Sequence, residues 1–313
     1  MNMKGRMMIS KLFSRRKKAA RAERIRITPP TAAPDRHGIA IVAILKDEAK
    51  HIVEWVQFHR AAGVRHFIIY DNLSTDNTVA LLHECLSAEM LTLIPWQMDT
   101  QDAKTGLILP RQVLAYCHAI STFGADYRWM TFIDIDEFLV PKIGNTLLEA
   151  LEPLNRYSNI SLSWTMYGFN GHQDPPEGLT IAQYKNRAAN PLAKGMGFLN
   201  FKCIVDPCKV NMVAVHKFET TDMGAQSVND QGVSAHNKLR KKASFLSDTR
   251  LQLNHYYTFS KAELDAKIAR GGVSGASGQR HNDRVRLIAT QIEQDTVEDL
   301  CAFDFWQRAQ QDG

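Results

Sequence analysis

The sequence predicts an α/β fold built on a mostly parallel, doubly wound central sheet flanked by helices, and three observations carry the prediction. Ile39 to Leu45 is an unbroken, largely β-branched apolar run, as expected of a strand covered on both faces. Ile52, Trp55, Val56, His59 and Arg60 then follow a 3-4 spacing, and a second strand pattern, His66 to Tyr70, comes next, so the chain opens strand, helix, strand. The alternation recurs as far as Trp129 to Ile135, and strands joined through helices lie parallel.

The elements follow in order. Residues 1–37 read as a basic tail and a linker, because three prolines within Thr28–Pro34 oppose both helix and sheet. The domain begins near Gly38, and Gly63 ends its first helix. Asp76 is placed to cap a helix over Thr78 to Leu86; Leu91 to Trp96 is a third strand, and Arg111 to Phe123 is helical. After Ile135 the pattern changes to short strand-like pieces (Ile160–Met166, Phe198–Val205, Val210–His216) between Gly- and Pro-rich turns, which predicts a smaller β subdomain. Leu251 to Tyr257 is a further strand. Ser260 and Glu263 form a capping box for a helix to Arg270, and Gly271–Gly278 reads as mobile. Val285, Ile288, Ile292, Leu300 and Phe303 indicate C-terminal helices, giving a division at 1–37, 38–280 and 281–313.

Composition narrows the function. In 313 residues, 44% hydrophobic content is enough for a sizeable core. No run approaches the roughly 18 apolar residues of a membrane span, and the start lacks the apolar stretch of a secretory signal. The net charge of +5 is uneven: the first 28 residues carry ten basic side chains against Glu23, leaving the body at −4. That tail, with Met7, Met8, Ile9, Leu12 and Phe13, suits an anionic membrane surface; a solvated leader is the alternative. No nucleic-acid partner is expected, since the body shows no basic-aromatic interleaving. Five scattered cysteines, without zinc spacing, fit a reducing, cytoplasmic setting, peripheral to the membrane if the tail binds it.

Ligands of open α/β sheets bind at the carboxyl ends of the strands. Three such ends carry acids: Lys46-Asp47-Glu48, Asp71-Asn72-Leu73-Ser74-Thr75-Asp76, and Asp134-Ile135-Asp136-Glu137. Gathered carboxylates repel unless something neutralises them, and a hard divalent ion, Mn²⁺ or Mg²⁺, is the simplest candidate. Such an ion stabilises a departing diphosphate.

Taken with Glu54-Trp55, His59 and Gly63, the first two clusters resemble the opening of the GT-A glycosyltransferases of family 2 and, more closely, family 92. Phe132-Ile133-Asp134-Ile135-Asp136-Glu137-Phe138-Leu139-Val140-Pro141 is similar to their metal-binding signature. Trp164-x-x-Tyr167-Gly168-x-x-Gly171-His172 and Asn254-His255-Tyr256-Tyr257-x-x-Ser260 resemble later family 92 blocks, so the similarity spans about residues 39 to 272. It implies a GT-A, Rossmann-like fold with an acceptor-side β subdomain, and transfer of a hexose, galactose-like, from a UDP-sugar to a glycan or lipid-linked acceptor.

By position, the resemblance implies that Lys46, Asp47, Glu48, Asp71 and Asn72 hold the nucleoside; Gln112 is placed on the same donor side. Asp134 would touch ribose and metal, Asp136 would be the direct metal ligand, and His255 would complete the site; a structural role for His255 is the alternative. His216 is a weaker candidate of the same type. Asp76 is better read as a cap. Trp164, Tyr167 and His172 are assigned to the acceptor, with core packing as the alternative for the two aromatics. Asp174 and Glu177, in the Gly171–Gly178 loop, are candidates for the base that an inverting transfer needs, or ordinary loop acids. Lys202, Lys217 and Arg270 are candidate diphosphate cations. Phe259 departs from the pattern, standing where a lysine is expected. Two other readings stay open: a metal-dependent nucleotidyltransferase or phosphodiesterase, which lacks a G-x-x-x-x-G-K loop, and a non-catalytic sugar-binding protein.

Overall fold

Alternating side chains along Ile39–Leu45 (β1) enter two different cores: Ile39, Ile41 and Ala43 face one, Ala40, Val42 and Ile44 the other. That division is why the run carries no polar residue. The computed structural model describes residues 20–193, 198–270 and 279–311. Most of the basic tail, the Gly271–Gly278 segment and the side chain of Arg270 lie outside the described residues.

On the first face lie Ile52–Ala61 (α1), closed by Gly63 at φ +84°, and, beyond His66–Asp71 (β2), the helix Thr78–Cys85 (α2). Leu91–Pro95 (β3) follows. Arg111–Phe123 (α3) covers the opposite face and leads into Trp129–Phe132 (β4). β1 lies between β2 and β4, with β3 outside β2, and all of these pairs are parallel.

β4 stops at Phe132, short of the expected Ile135. The Asp134 N–H turns to the Glu137 carboxylate at 2.8 Å, breaking the ladder, and the chain resumes as Glu137–Pro141 (β5).

Beyond β4 antiparallel strands join the sheet. Asn159–Met166 (β6) and Phe201–Val205 (β7) are neighbours that run antiparallel. β7 inserts antiparallel between β4 and β6. Leu251–His255 (β8) then runs parallel to the end of β6 and antiparallel to β5, with His255 opposite Glu137.

Two boundaries also differ from expectation. Val210–Ala214 leaves the main sheet for a small one in which Ile25 pairs with Val213, and Arg36 reaches Asp206 at 2.9 Å. The linker is therefore docked from Ile25 onward. At the other end, Lys261–Arg270 (α4) is followed by Gln279–Glu293 (α5) and Cys301–Gln311 (α6), and α6 seats Phe305 edge-on to Phe58 of α1 at 5.2 Å. α6 belongs to the main core. No helix among the described residues is long and apolar enough to cross a membrane.

His59 ties α1 to β5. Its Nδ1 donates to Trp55 O at 2.8 Å and its Nε2 accepts the Leu139 N–H at 3.1 Å, which requires the neutral ring. Burial pulls its pKa down to about 3. The unfolded ring takes a proton near pH 6.5 and the folded ring does not, so this stability is present above about pH 6.5 and lost as pH falls. Urea unfolding between about pH 7 and pH 4 should show roughly 1.4 kcal/mol lost per pH unit that His59→Gln does not lose; equal slopes would refute the assignment. Phe305→Ala should cost about 3–5 kcal/mol in the same assay, and a cost under roughly 1 kcal/mol would show that α6 is not core.

Candidate active site

The loops after β1 and β2 leave the sheet together, since Leu45 O accepts the Asn72 N–H at 2.8 Å. They then interlock. Asp47, at φ +54°, accepts the Thr75 N–H at 2.6 Å, while its own N–H donates to Ser74 Oγ at 3.0 Å. Ser74 in turn donates its N–H and Oγ–H to Asp71 at 3.1 and 2.6 Å. Asp76 accepts the Thr78 and Ala49 N–H groups at 3.0 and 3.1 Å, the cap chemistry expected of it. Asp47 and Asp71 thus brace a rim while keeping free lone pairs for a ligand. Asn72 accepts from Arg111, which precedes Gln112 on α3, and Lys46 is exposed beside them.

The turn after β4 forms the centre. Asp134 accepts Lys202 Nζ at 2.8 Å and Gln112 Nε2 at 3.3 Å, Gln112 being steadied by Tyr116 at 2.9 Å. Lys202, buried on β7, also reaches Glu137 at 3.2 Å. Glu137 is fully buried and accepts the Trp164 indole N–H at 2.6 Å. Burial pushes its pKa up to about 7, against the pull of Lys202. Every one of these neighbours is a donor, so its lone pairs are satisfied in the ionised form. Burial likewise opposes the charge on Lys202, but Asp134 and Glu137 outweigh it and hold the amine protonated.

Asp136 faces the other way. The β5–β8 register brings His255 beside it, Nε2 to Oδ2 at 3.5 Å, and Lys267 of α4 reaches the same oxygen at 2.7 Å. Burial would raise its pKa, yet Lys267 and then His255 outweigh that and hold the carboxyl ionised. The His255 ring lies 4.5 Å from Trp164 and 5.3 Å from Tyr257, and its Nδ1 is buried with no partner among the described residues. Glu48 contributes to the field at Lys267.

One network therefore joins Gln112, Asp134, Asp136, Trp164 and His255, with the Asp47 and Asp71 rim at the same sheet edge. Trp164 also lines a cavity of about 200 Å³ with Thr165, Met166, Ala188, Phe198 and Asp248. Asp174 and Glu177 are exposed, on a loop whose His172 and Gln173 carbonyls accept the Lys261 and Ala262 N–H groups at 3.1 and 2.9 Å, against the start of α4. His172 itself is half-buried against Tyr184.

Three expectations need correction. Tyr167 is buried, tilted against Tyr256 at 4.7 Å with its hydroxyl donating to Asp299 O at 3.3 Å, so it presents no face to a sugar. Lys202 is a buried counter-ion of carboxylates, not a cation facing a diphosphate. His216 bonds Phe201 O at 3.1 Å and packs on Trp164 at 5.3 Å, with burial pulling its pKa down to about 4; it lies behind the indole as a neutral ring. Lys267 was not foreseen: in the polar pattern of α4 nothing separates it from a surface lysine. Phe259, at φ +46°, stacks flat on His51 at 4.0 Å, which makes its position apolar and packed.

The sequence pattern described as Glycosyltransferase family 92 matches residues 39–269. A family 92 protein of Ricinus communis is 26% identical over 209 residues, covering 63% of this chain and 34% of that protein. One from Oryza sativa subsp. japonica is 27% identical over 202 residues, covering 62% and 31%. The chain thus spans about a third of the length of the curated relatives it matches. Among solved structures, Staphylococcus aureus TarS in complex with UDP aligns over 54% of this chain and 47% of that one, at 14% identity and TM-score 0.31. Mycobacterium tuberculosis glucosyl-3-phosphoglycerate synthase with Mn²⁺ and UDP covers 54% and 57%, at 14% identity and TM-score 0.30. With its strand-end acids and a family pattern running from β1 into α4, the chain belongs to glycosyltransferase family 92.

Proposed function

We propose that this chain transfers a hexose, galactose-like, from a UDP-sugar to a glycan or lipid-linked acceptor, using a divalent ion. The observation that carries the reading is the pair Asp136 Oδ2 and His255 Nε2, 3.5 Å apart and turned to one cation position, beside Asp134 at the carboxyl edge of the sheet. Carboxylate and imidazole suit Mn²⁺, and Mg²⁺ through the carboxylate. Among the described residues no group of three or more His, Cys, Asp and Glu is placed to hold a metal ion, so an ion here would rest on Asp136, His255 and the phosphate oxygens of the donor. The residues present fit such an ion.

When bound, the ion supplies positive charge to the leaving diphosphate. The remaining work falls to side chains. The Asp47–Asp71 rim, with Lys46, Glu48 and Asn72, holds the nucleoside, and Asp134, aimed by Gln112 and Lys202, meets the ribose. Glu137 fixes Trp164, whose ring forms one wall of the acceptor cavity. Asp174 and Glu177 are the carboxylates we assign to the acceptor side, where an inverting transfer needs a base.

Thermal unfolding with UDP or ATP, each with and without Mn²⁺, tests this. UDP should stabilise the protein only when Mn²⁺ is present, by about 2.7 kcal/mol at roughly 100 times Kd, and Asp136→Ala should lose the effect. Stabilisation by ATP in place of UDP would overturn the donor, and no effect of either would overturn the enzymatic reading.

A further inference from the structure

Two lysines neutralise the acids of the β4–β5 turn, and they are held differently. Lys202 is 2% exposed and bridges Asp134 and Glu137 from inside the sheet, so it has nowhere else to go. Lys267 is 46% exposed, sits in the last turn of α4, and touches Asp136 from the solvent side, its ammonium 5.3 Å from the Tyr257 ring. Its contact at 2.7 Å falls on Oδ2, the oxygen that also faces His255. A divalent ion on that oxygen would repel the ammonium at short range and weaken its hold on Asp136.

The flanking chain adds a second observation. Phe259, just before the capping-box serine of α4, is packed on His51 and carries no charge. Lys267, further along α4, brings a half-exposed ammonium to Asp136.

We propose that Lys267 is a tethered counter-cation: it holds the Asp136–His255 cation position in the empty site and pairs with the donor diphosphate once a divalent ion takes that position. The inference rests on the donor-site reading above. It requires Mn²⁺ alone to bind weakly, because it must displace the ammonium. It also requires Mn²⁺ and UDP to bind with positive coupling, because the diphosphate receives the ammonium that the metal displaces.

Titration calorimetry with MnCl₂ alone, UDP alone, and UDP in saturating Mn²⁺ tests this on the wild type, Lys267→Met, Lys267→Arg and Asp136→Ala. Lys267→Met should bind Mn²⁺ alone about tenfold more tightly than wild type while its UDP affinity in Mn²⁺ falls about tenfold, with Lys267→Arg close to wild type in both. No gain in Mn²⁺ affinity in Lys267→Met would overturn the counter-cation role. A gain without weaker UDP binding would overturn the diphosphate role. In either case, loss of Mn²⁺ binding in Asp136→Ala would leave the donor site standing, whereas absence of both Mn²⁺ and UDP binding in the wild type would remove the reading beneath it.

Discussion

Three carboxylates within four residues, Asp134, Asp136 and Glu137, must be neutralised where the sheet ends, and much of the surrounding structure follows from that charge balance. Glu137 is the costliest of the three, being fully buried, and an isolated charge there would be protonated rather than tolerated. It is stabilised by donors from separate elements: the Asp134 N–H, Lys202 on β7 and the Trp164 indole on β6. The antiparallel insertion of β7 between β4 and β6 is what delivers that lysine. A purely parallel sheet continuing from β4 would place a crossover strand there instead.

The same balance sorts the acids by task. Glu137 is held by protein donors on both oxygens and serves as a fixed anchor. Asp134 keeps one oxygen loosely held by Gln112, at 3.3 Å, and is partly exposed. Among the described residues Asp136 is matched only by partners that can yield, a half-exposed lysine and an imidazole whose other nitrogen has no partner there. Binding chemistry belongs where the pairing is incomplete, because a ligand there gains what the protein left unsatisfied.

Much of this was legible in the residues. The strand of β1, the helix ended by Gly63, and the acids after three strands come from local patterns, which periodicity and turn chemistry report directly. The break at Phe132 was not legible, since it depends on the Asp134 N–H choosing a side chain over the ladder. Lys202 misled for a related reason. A lysine in Phe201-Lys202-Cys203-Ile204-Val205 reads as the solvent face of a strand, but Ile204 shares its face and is 1% exposed. That apolar neighbour two residues on was the available signal for a buried, paired cation. Tyr167 shows the opposite error: a motif position carries no information on whether its ring faces a cleft or the core.

The Asp136 side of the network and the Trp164 cavity are also joined, and through few residues. Trp164 is hydrogen-bonded to the anchor Glu137, tilted against the His255 ring at 4.5 Å, and lines the cavity, so a ligand pressing on the indole would press on that imidazole. α4 makes a second link. Its first turn receives the carbonyls of the loop that carries Asp174 and Glu177, and its last turn carries the lysine on Asp136. A helix is stiff along its axis, so a change at either end is felt at the other. One short helix thus touches both Asp136 and the loop of Asp174 and Glu177, and it is fixed at its start by the Ser260–Glu263 capping box.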